Sequence, residues 1–600
     1  MYPYSLGVQK IEESAKKGIR VAFASAEAEC GIVFYDRKTG EEVKRHAFNR
    51  EKRVGKVYFE TIPHIDRKKY SYLFYEGDKL VADKNAVGFV GKDEFGVRKS
   101  VADYKAVIED ERYHWGEDCL PQIPYEDCVC YCLHVRGFTK HKTSGIKAKG
   151  TFAGIVEKLP YLKELGITTL ELQPAYEFNE LPEETLDGGK TPMIVKRPVL
   201  NYWGYQEGFY YAPKRAYAKS ENAGREFKDM VKALHENYME VVMQFYFPET
   251  VSSSEIVNIL RFWHMEYHVD GFHVKGQHLP LKELVKDPYL AECKLWNSDF
   301  PLVQSVGQQV EAEQCHVALY KEDYRKTIRR FLKGDTGILY DVMYCMRRKP
   351  ANSGFLNYIS NYDGFTMADM VTYEKKHNEA NGEENRDGTE ANYSWNWGKE
   401  GATRKKQVQQ IRQQQVKNAF MLLMLSQGTP LFFMGDEFGN SQGGNNNPYC
   451  QDNEVTWLNW RDLVKNKALH DWVKELIAFR KANRVFRQEK ECGLSDYREV
   501  GAPDLSYHGT EAWLQKWEYG DRHVGMMLSG DYAEGCEGKL YYLAINMHWE
   551  TQEFGLPRLS EEKRWKVALT TAAEDTEELA EIREGILVVP SRSLVLLIGE

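Results

Sequence analysis

No apolar run in this chain approaches the roughly 18–20 residues that cross a bilayer, so nothing in it reads as a membrane span. Cysteine is sparse: 11 in 600 residues, an odd number, scattered. That pattern excludes a disulfide framework and fits reduced thiols. An excess of positive charge is also missing. Lys and Arg total 80 against 89 Asp and Glu, for a net charge of −9. A nucleic-acid protein needs a basic surface for phosphate contacts, so that class is set aside. The balance suits a neutral polar partner such as a sugar. The opening stretch MYPYSLGVQKIEESAKK has no apolar segment between a basic head and a small-residue cleavage site. A mature cytoplasmic start is the expectation.

What is present is globular: 42% hydrophobic and 28% charged residues in a chain too long for one core. GIRVAFA, CGIVFYD, GKVYFETI and YSYLFYEG, between Gly18 and Gly77, alternate with period two and predict strands. They outline a β-sandwich over 1–110. From Asp127 the rhythm changes. VCYCLHVRG predicts a strand, FAGIVEKLPYLKELG a helix kinked at Pro160 and stopped at Gly166, and ITTLELQP the next strand. REFKDMVKALHENY and SEIVNILRFWHMEYH predict helices, with the buried strand EVVMQFYF between them and DGFHV after. Strand and helix in alternation imply parallel βαβ units. Over 111–484 their number fits a (β/α)₈ TIM barrel with insertions. YYLAINMH, WKVALTT, GILVVP and SLVLLIGE return to strands, a second β-sandwich over 485–600. The polar stretch His377 to Asn392 reads as a long surface loop, and GDEFGNSQGG as an ordered loop. Cys128, Cys130 and Cys132 alternate too closely for a usual zinc pair and read as buried hydrophobes. No metal and no cofactor is expected.

YCLHVRGFT, YLKELGITTLELQP, NYWGYQEGFYYAP, NYDGFTMADMVTYEKKHNEANGEENRDG and LSQGTPLFFMGDEFGNSQGGNNNPYCQDN resemble the isoamylase branch of the α-amylase clan. The likeness is closest to bacterial glycogen-debranching enzymes and covers nearly the whole chain. It implies a carbohydrate-binding-type sandwich, a barrel and a C-terminal sandwich. It also implies cleavage or transfer of α-glucosidic bonds, here the α-1,6 branch points of glycogen or starch.

Retaining cleavage needs an anionic nucleophile and a protonated acid about 5–5.5 Å apart, at the C-terminal ends of barrel strands. The resemblance locates those ends, and this chain departs from the pattern at most of them. Where the family's third strand carries Asp and then Asn-His, EVVMQFYFPE has Gln244, Pro248 and Glu249. Where the fourth carries Arg and the nucleophilic Asp, DGFHVKG has His273 and Lys275. The acid position on the fifth is Ser298, with Asp299 one residue on, and the His-Asp of the seventh is Tyr362 and Asp363. Only the third carboxylate, Asp363, remains.

The expectation is therefore a catalytically degenerate relative that binds α-glucan or maltooligosaccharide through Tyr202, Trp203, Tyr205, His273, Tyr362 and Asp363. Silent partner subunits occur in the family, so pairing with an active debranching subunit, or with itself, is implied. Each residue also has a structural reading. Lys275 sits in an ion pair with Asp363, Glu249 or Asp299; His273 is a hydrogen-bonded core residue; Tyr202, Trp203 and Tyr205 pack the mouth; and Trp395 and Trp397 are open in the same way between stacking on sugar rings and packing. Two further functions stay open: an α-1,6-glucosidase or transferase using Glu249 and Asp299 as relocated carboxylates, and a scaffold with no glucan role.

Overall fold

The computed structural model describes residues 6–11, 18–108, 112–181, 199–300, 316–350, 353–572 and 581–600. Most of the opening stretch read for a leader lies outside them. Eight strands, numbered here in chain order, close the central barrel: β1 Cys130–Leu133, β2 Thr169–Leu172, β3 Glu240–Phe247, β4 Gly271–Gly276, β5 Lys294–Asn297, β6 Val317–Tyr320, β7 Gly354–Tyr358 and β8 Thr429–Phe433. Every neighbouring pair is parallel, and β1 closes on β8. The strands are almost wholly buried, because helices cover their outer faces. The alternating rhythm of the sequence is thus a (β/α)₈ barrel.

β-Rich units flank it on both sides. On the N-terminal side, Gly18–Ala24 and Val57–Pro63 belong to one sheet and Cys30–Asp36 and Tyr70–Glu76 to another. Ile19, Val21, Ile32, Phe34 and Phe74 fill the space between them. On the C-terminal side, a five-stranded sheet centred on Leu540–Asn546 and Ser593–Gly599 faces a three-stranded one.

Two local departures from the sequence reading, and the order of one expected loop, have clear causes. VCYCLHVRG does not run on as a strand, because His134 accepts a hydrogen bond from Gly137 N (3.0 Å) and caps the helix Val135–Lys140. Pro160 does more than kink its helix. The chain breaks at Lys158 into Phe152–Glu157 and Leu159–Leu165, with proline in the first turn of the second, where its missing N–H costs nothing. The His377–Asn392 stretch is a loop tied down by its own asparagines. Asn378 is buried, donates to Asp387 O (2.9 Å) and Asn446 Oδ1 (2.8 Å), and accepts from Asn446 N (3.0 Å).

The N-terminal sandwich is fastened to the barrel by buried charge. Lys214 Nζ lies 2.8 Å from Glu177 Oε1 and also meets Glu180. Lys99 Nζ lies 2.7 Å from Glu180 Oε2 and 2.5 Å from Asp93 Oδ2. Arg215 bonds Glu177 and the carbonyls of Val90 and Asp103. Three carboxylates, close enough together to hold a cation, are thus neutralised by three basic side chains. The Lys214 charge, with that of Arg215, holds Glu177 down to about 2 against the rise that burial alone would cause.

One glycine shapes the site directly. Gly276 ends β4 with φ +131°, and a Cβ there would lie 1.9 Å from the Phe247 carbonyl oxygen. Both the backbone and the space exclude a side chain. Gly276→Ala is expected to cost at least about 2–3 kcal/mol in denaturant unfolding. A variant as stable as the parent would show that β3 and β4 do not meet this closely.

Candidate functional site

The site is built on β4, whose odd residues enter the barrel. His273 pairs in register with Gln244 of β3 and Trp296 of β5, and Tyr246 pairs with Lys275. Continuing the β5 register past Asn297 brings Ser298 level with Lys275. The one-residue slip that would put Asp299 in that place does not occur. Ser298 and Asp299 are both exposed. Asn297 donates to Val274 O (2.7 Å) and accepts from Asp299 N (2.7 Å), fixing the strand end.

Beneath the mouth lies a buried polar layer centred on Glu171 of β2. Its Oε1 accepts from Gln244 Nε2 (2.7 Å) and lies 2.6 Å from His273 Nδ1. Its other oxygen, Oε2, is buried without a hydrogen-bond partner. Burial pushes Glu171 up, but the His273 hydrogen bond and the charge of Lys275 more than offset it, leaving the carboxyl below its usual range. Burial and the Lys275 charge both press His273 down, to about 4. The ring is therefore neutral at neutral pH, and its Nδ1–H donates to the carboxylate. His273 also stacks on Tyr320 (4.3 Å between centroids). It is a hydrogen-bonded core residue, with no face left for a sugar.

Lys275 stands above this layer. Its ammonium donates to the Tyr362 hydroxyl. Three rings surround it, with centroids at 4.8 Å (Tyr362), 5.7 Å (Tyr205) and 5.9 Å (Tyr320), inside the range of cation–π attraction. Among the described residues no carboxylate comes within ion-pair distance of it, which corrects the expected pairing. Glu249 is exposed and faces His278 at 3.6 Å. Asp363 turns its side chain to solvent, while Arg325 holds its backbone oxygen (2.6 Å). Burial lowers the Lys275 pKa below the ordinary lysine value, with Glu171 and Asp363 pulling the other way.

The aromatic candidates separate. Tyr202 is only 1% exposed, stacked on His134 (4.0 Å) and edge-on to Phe95, so it packs the protein and offers no platform. Tyr362 is also buried, edge-on to Trp203 (5.3 Å) and tilted against Tyr205 (5.4 Å). Trp203 and Tyr205 keep part of their surface open, and the Tyr205 hydroxyl donates to Gln244 Oε1. Trp395 and Trp397 lie elsewhere, stacked in parallel at 5.3 Å.

No family model matches the chain. Whole-chain relatives are plain nonetheless. The chain is 31% identical, over 76% of its length, to the chloroplastic Isoamylase 1 of Arabidopsis thaliana, of which it spans 69%. It is 30% identical, over 87% of its length, to the glycogen operon protein GlgX homolog of Haemophilus influenzae, of which it spans 90%. The chain belongs to the isoamylase and GlgX family of the α-amylase clan. Solved structures agree on the fold: a pullulanase from Bacillus acidopullulyticus superposes with a TM-score of 0.71 at 19% identity, covering 100% of this chain and 75% of that one.

Two residues that shape this isoamylase-family site, and one buried acid beside the barrel, were not singled out from the sequence. Glu171 sits in TLEL, where one carboxylate in an apolar strand was the available signal. Tyr320 ends the short strand VALY. Glu437 lies within a segment read only as an ordered loop. It accepts from the hydroxyls of Tyr131 (2.9 Å) and Tyr161, and burial raises it to about 7.

Because Lys275 is desolvated without a direct counter-ion, Lys275→Met is expected to raise the melting temperature at pH 7. The sign follows from the depressed pKa: the folded state disfavours the charged form, a penalty present at every pH below the unfolded lysine value. A lower melting temperature would show instead that the rings and Glu171 more than compensate.

Proposed function

We propose that this protein is a non-catalytic member of its family that binds α-glucan chains at the barrel mouth. Its relatives are by name isoamylases and glycogen operon proteins, which makes α-glucan the ligand class. The observation that carries the reading is the setting of Lys275. A cation held by Tyr362 and three rings occupies the place where the family puts its nucleophile. Ser298 at the acid position carries only an alcohol, far too weak an acid to protonate the leaving oxygen. Gln244 and His273 are already committed to Glu171. Trp203 and Tyr205, with Asp363 at the rim, are the groups we assign to sugar contacts.

Relocated carboxylates gain no support. Glu249 is solvent-facing beside His278, and Asp299 is exposed one residue beyond the acid position. A role as partner to an active debranching subunit is compatible with this site and adds to glucan binding.

Native electrophoresis through gels containing glycogen, run beside a reducing-end assay on the same polymer, tests the reading. Retardation without release of reducing ends is expected. Release that disappears in Asp363→Ala would overturn it, and so would migration unaffected by glycogen.

A further inference from the structure

We infer that the flank of the barrel, at its seam with the C-terminal sandwich, carries a second carbohydrate site that takes an unbranched α-glucan chain. The inference rests on the glucan reading above but uses none of the residues of the mouth.

The site gathers around one turn, Gly334 to Gly337, between the helices Asp323–Lys333 and Leu339–Arg347. Tyr340 and Tyr344 are one helical turn apart on the second helix, so they share a face, and they are 65% and 50% exposed. Trp517 of the C-terminal unit sets its ring edge-on to Tyr340 (5.9 Å). Next to it, Tyr519 packs its ring against Gly337. Its ring would meet any Cβ there at 2.4 Å, and its carbonyl accepts from Gly337 N (2.9 Å). Yet Tyr519 is 78% exposed. The glycine thus lets the ring touch the barrel while most of its surface stays exposed.

On the far side of the turn, Arg522 donates to Gly334 O (2.6 Å) and lies 5.0 Å from the centre of Trp549, which is 58% exposed. Arg592 also packs against Gly334, 4.9 Å from the Trp397 ring, and Trp397 stacks in parallel on the exposed Trp395. Arg592 and Trp397 both have positive φ, 48° and 57°.

The chemistry selects the occupant. Exposed rings gather at this turn beside the charged Lys333 and Asp335, and the part-exposed Arg522 stands among them, while Arg592 is buried beneath. A pyranose offers a flat C–H face to a ring and hydroxyls to polar groups, so exposed rings with the Arg522 guanidinium and charged neighbours among them suit a sugar polymer. Aromatic bodies with polar edges serve surfaces that are half wet. A protein interface of this size would instead have a contiguous apolar centre depleted of charge. Exposed aromatic patches of this kind mark binding sites.

The intact protein is compared with Tyr519→Ala/Trp549→Ala and with Trp203→Ala, using glycogen in native gels and maltoheptaose by calorimetry. Both rings of the double variant are solvent-facing, so its melting temperature is expected to stay at the parent value. Its affinity for glycogen is expected to fall about tenfold, or about 1.4 kcal/mol, while Trp203→Ala keeps this component. Parental affinity in the double variant, with loss confined to Trp203→Ala, would overturn the second site and leave the mouth as the binding site. No retardation of the parent would overturn both readings. If the double variant only dissociates a self-associated form in sedimentation, the patch is a contact between copies and the inference falls.

Discussion

Incubated with a branched α-glucan, this protein is expected to release reducing ends at least about six decades more slowly than a site with a carboxylate at the place of Lys275 and an intact acid. The transition state of glycoside cleavage carries positive charge on the sugar ring. A carboxylate about 4 Å away attracts it by roughly 4 kcal/mol at an effective dielectric of 20. An ammonium at the same place repels it by a similar amount. The swing is about 8 kcal/mol, or about six powers of ten in rate. Burial shifts Lys275 toward its neutral form, but a neutral amine still supplies no carboxylate. Lys275→Asp alone is not expected to restore turnover, because Ser298 cannot protonate the leaving oxygen. Lys275→Asp combined with Ser298→Glu is expected to exceed the parent in a reducing-end assay, although His273 and Gln244 remain where the family has Arg and Asp. Parental turnover abolished by Asp363→Ala would sink the argument, since it would show bond cleavage proceeding past a cation.

Glu437→Gln is expected to flatten the pH dependence of stability between about pH 5 and 8. Glu437 is buried with its hydroxyl partners Tyr131 and Tyr161, and its folded pKa is raised from 4.5 to about 7. Over that window the folded state holds a proton that the unfolded chain has released. Stability therefore falls as pH rises from the unfolded value to the folded one. The size is about 3 kcal/mol at 1.36 kcal/mol per unit, as an order of magnitude. A glutamine amide in this place accepts the same hydroxyl bonds through its oxygen and does not titrate. The gap between parent and variant, measured by urea unfolding at pH 5 and pH 8, should therefore change by about that amount, in favour of the parent at the acid end. Asp436 and Asp369, each raised to about 6 by burial, tilt the parent the same way. His134 and His273, lowered to about 4, oppose them at acid pH by resisting protonation in the folded state. A gap independent of pH would mean that Glu437 is already ionised in the folded protein at pH 5.

Period-two runs made the outer strands legible, and Gly18–Ala24 and Cys30–Asp36 fall where the alternation puts them. The barrel was legible from βα alternation, and the strand ends from motif resemblance. What the sequence could not display was depth. Tyr202, Trp203 and Tyr205 stand within four residues of one another, yet only the latter two keep an open face. The difference arises because His134 reaches back from the end of β1 to stack on Tyr202, a contact that no local pattern encodes. Lys275 was legible as a cation at a barrel strand end. Its partner was not, because a tyrosine hydroxyl brought from beyond β7 by barrel closure leaves no trace in spacing. Glu171 was hidden for the opposite reason: a lone acid in an apolar strand is visible, but which neighbours satisfy it depends on the register of three strands.

The ion network at Lys214, Lys99 and Arg215 bears on how the molecule can come apart. Pulling the first sandwich from the barrel would take Lys99 from Glu180 and the Val90 and Asp103 carbonyls from Arg215, leaving buried charged groups without those partners at a cost of several kcal/mol. The leading segment is thus no tethered module swinging on a linker. It is a wall of the same building, and a truncated barrel lacking it would begin life with an open electrostatic wound.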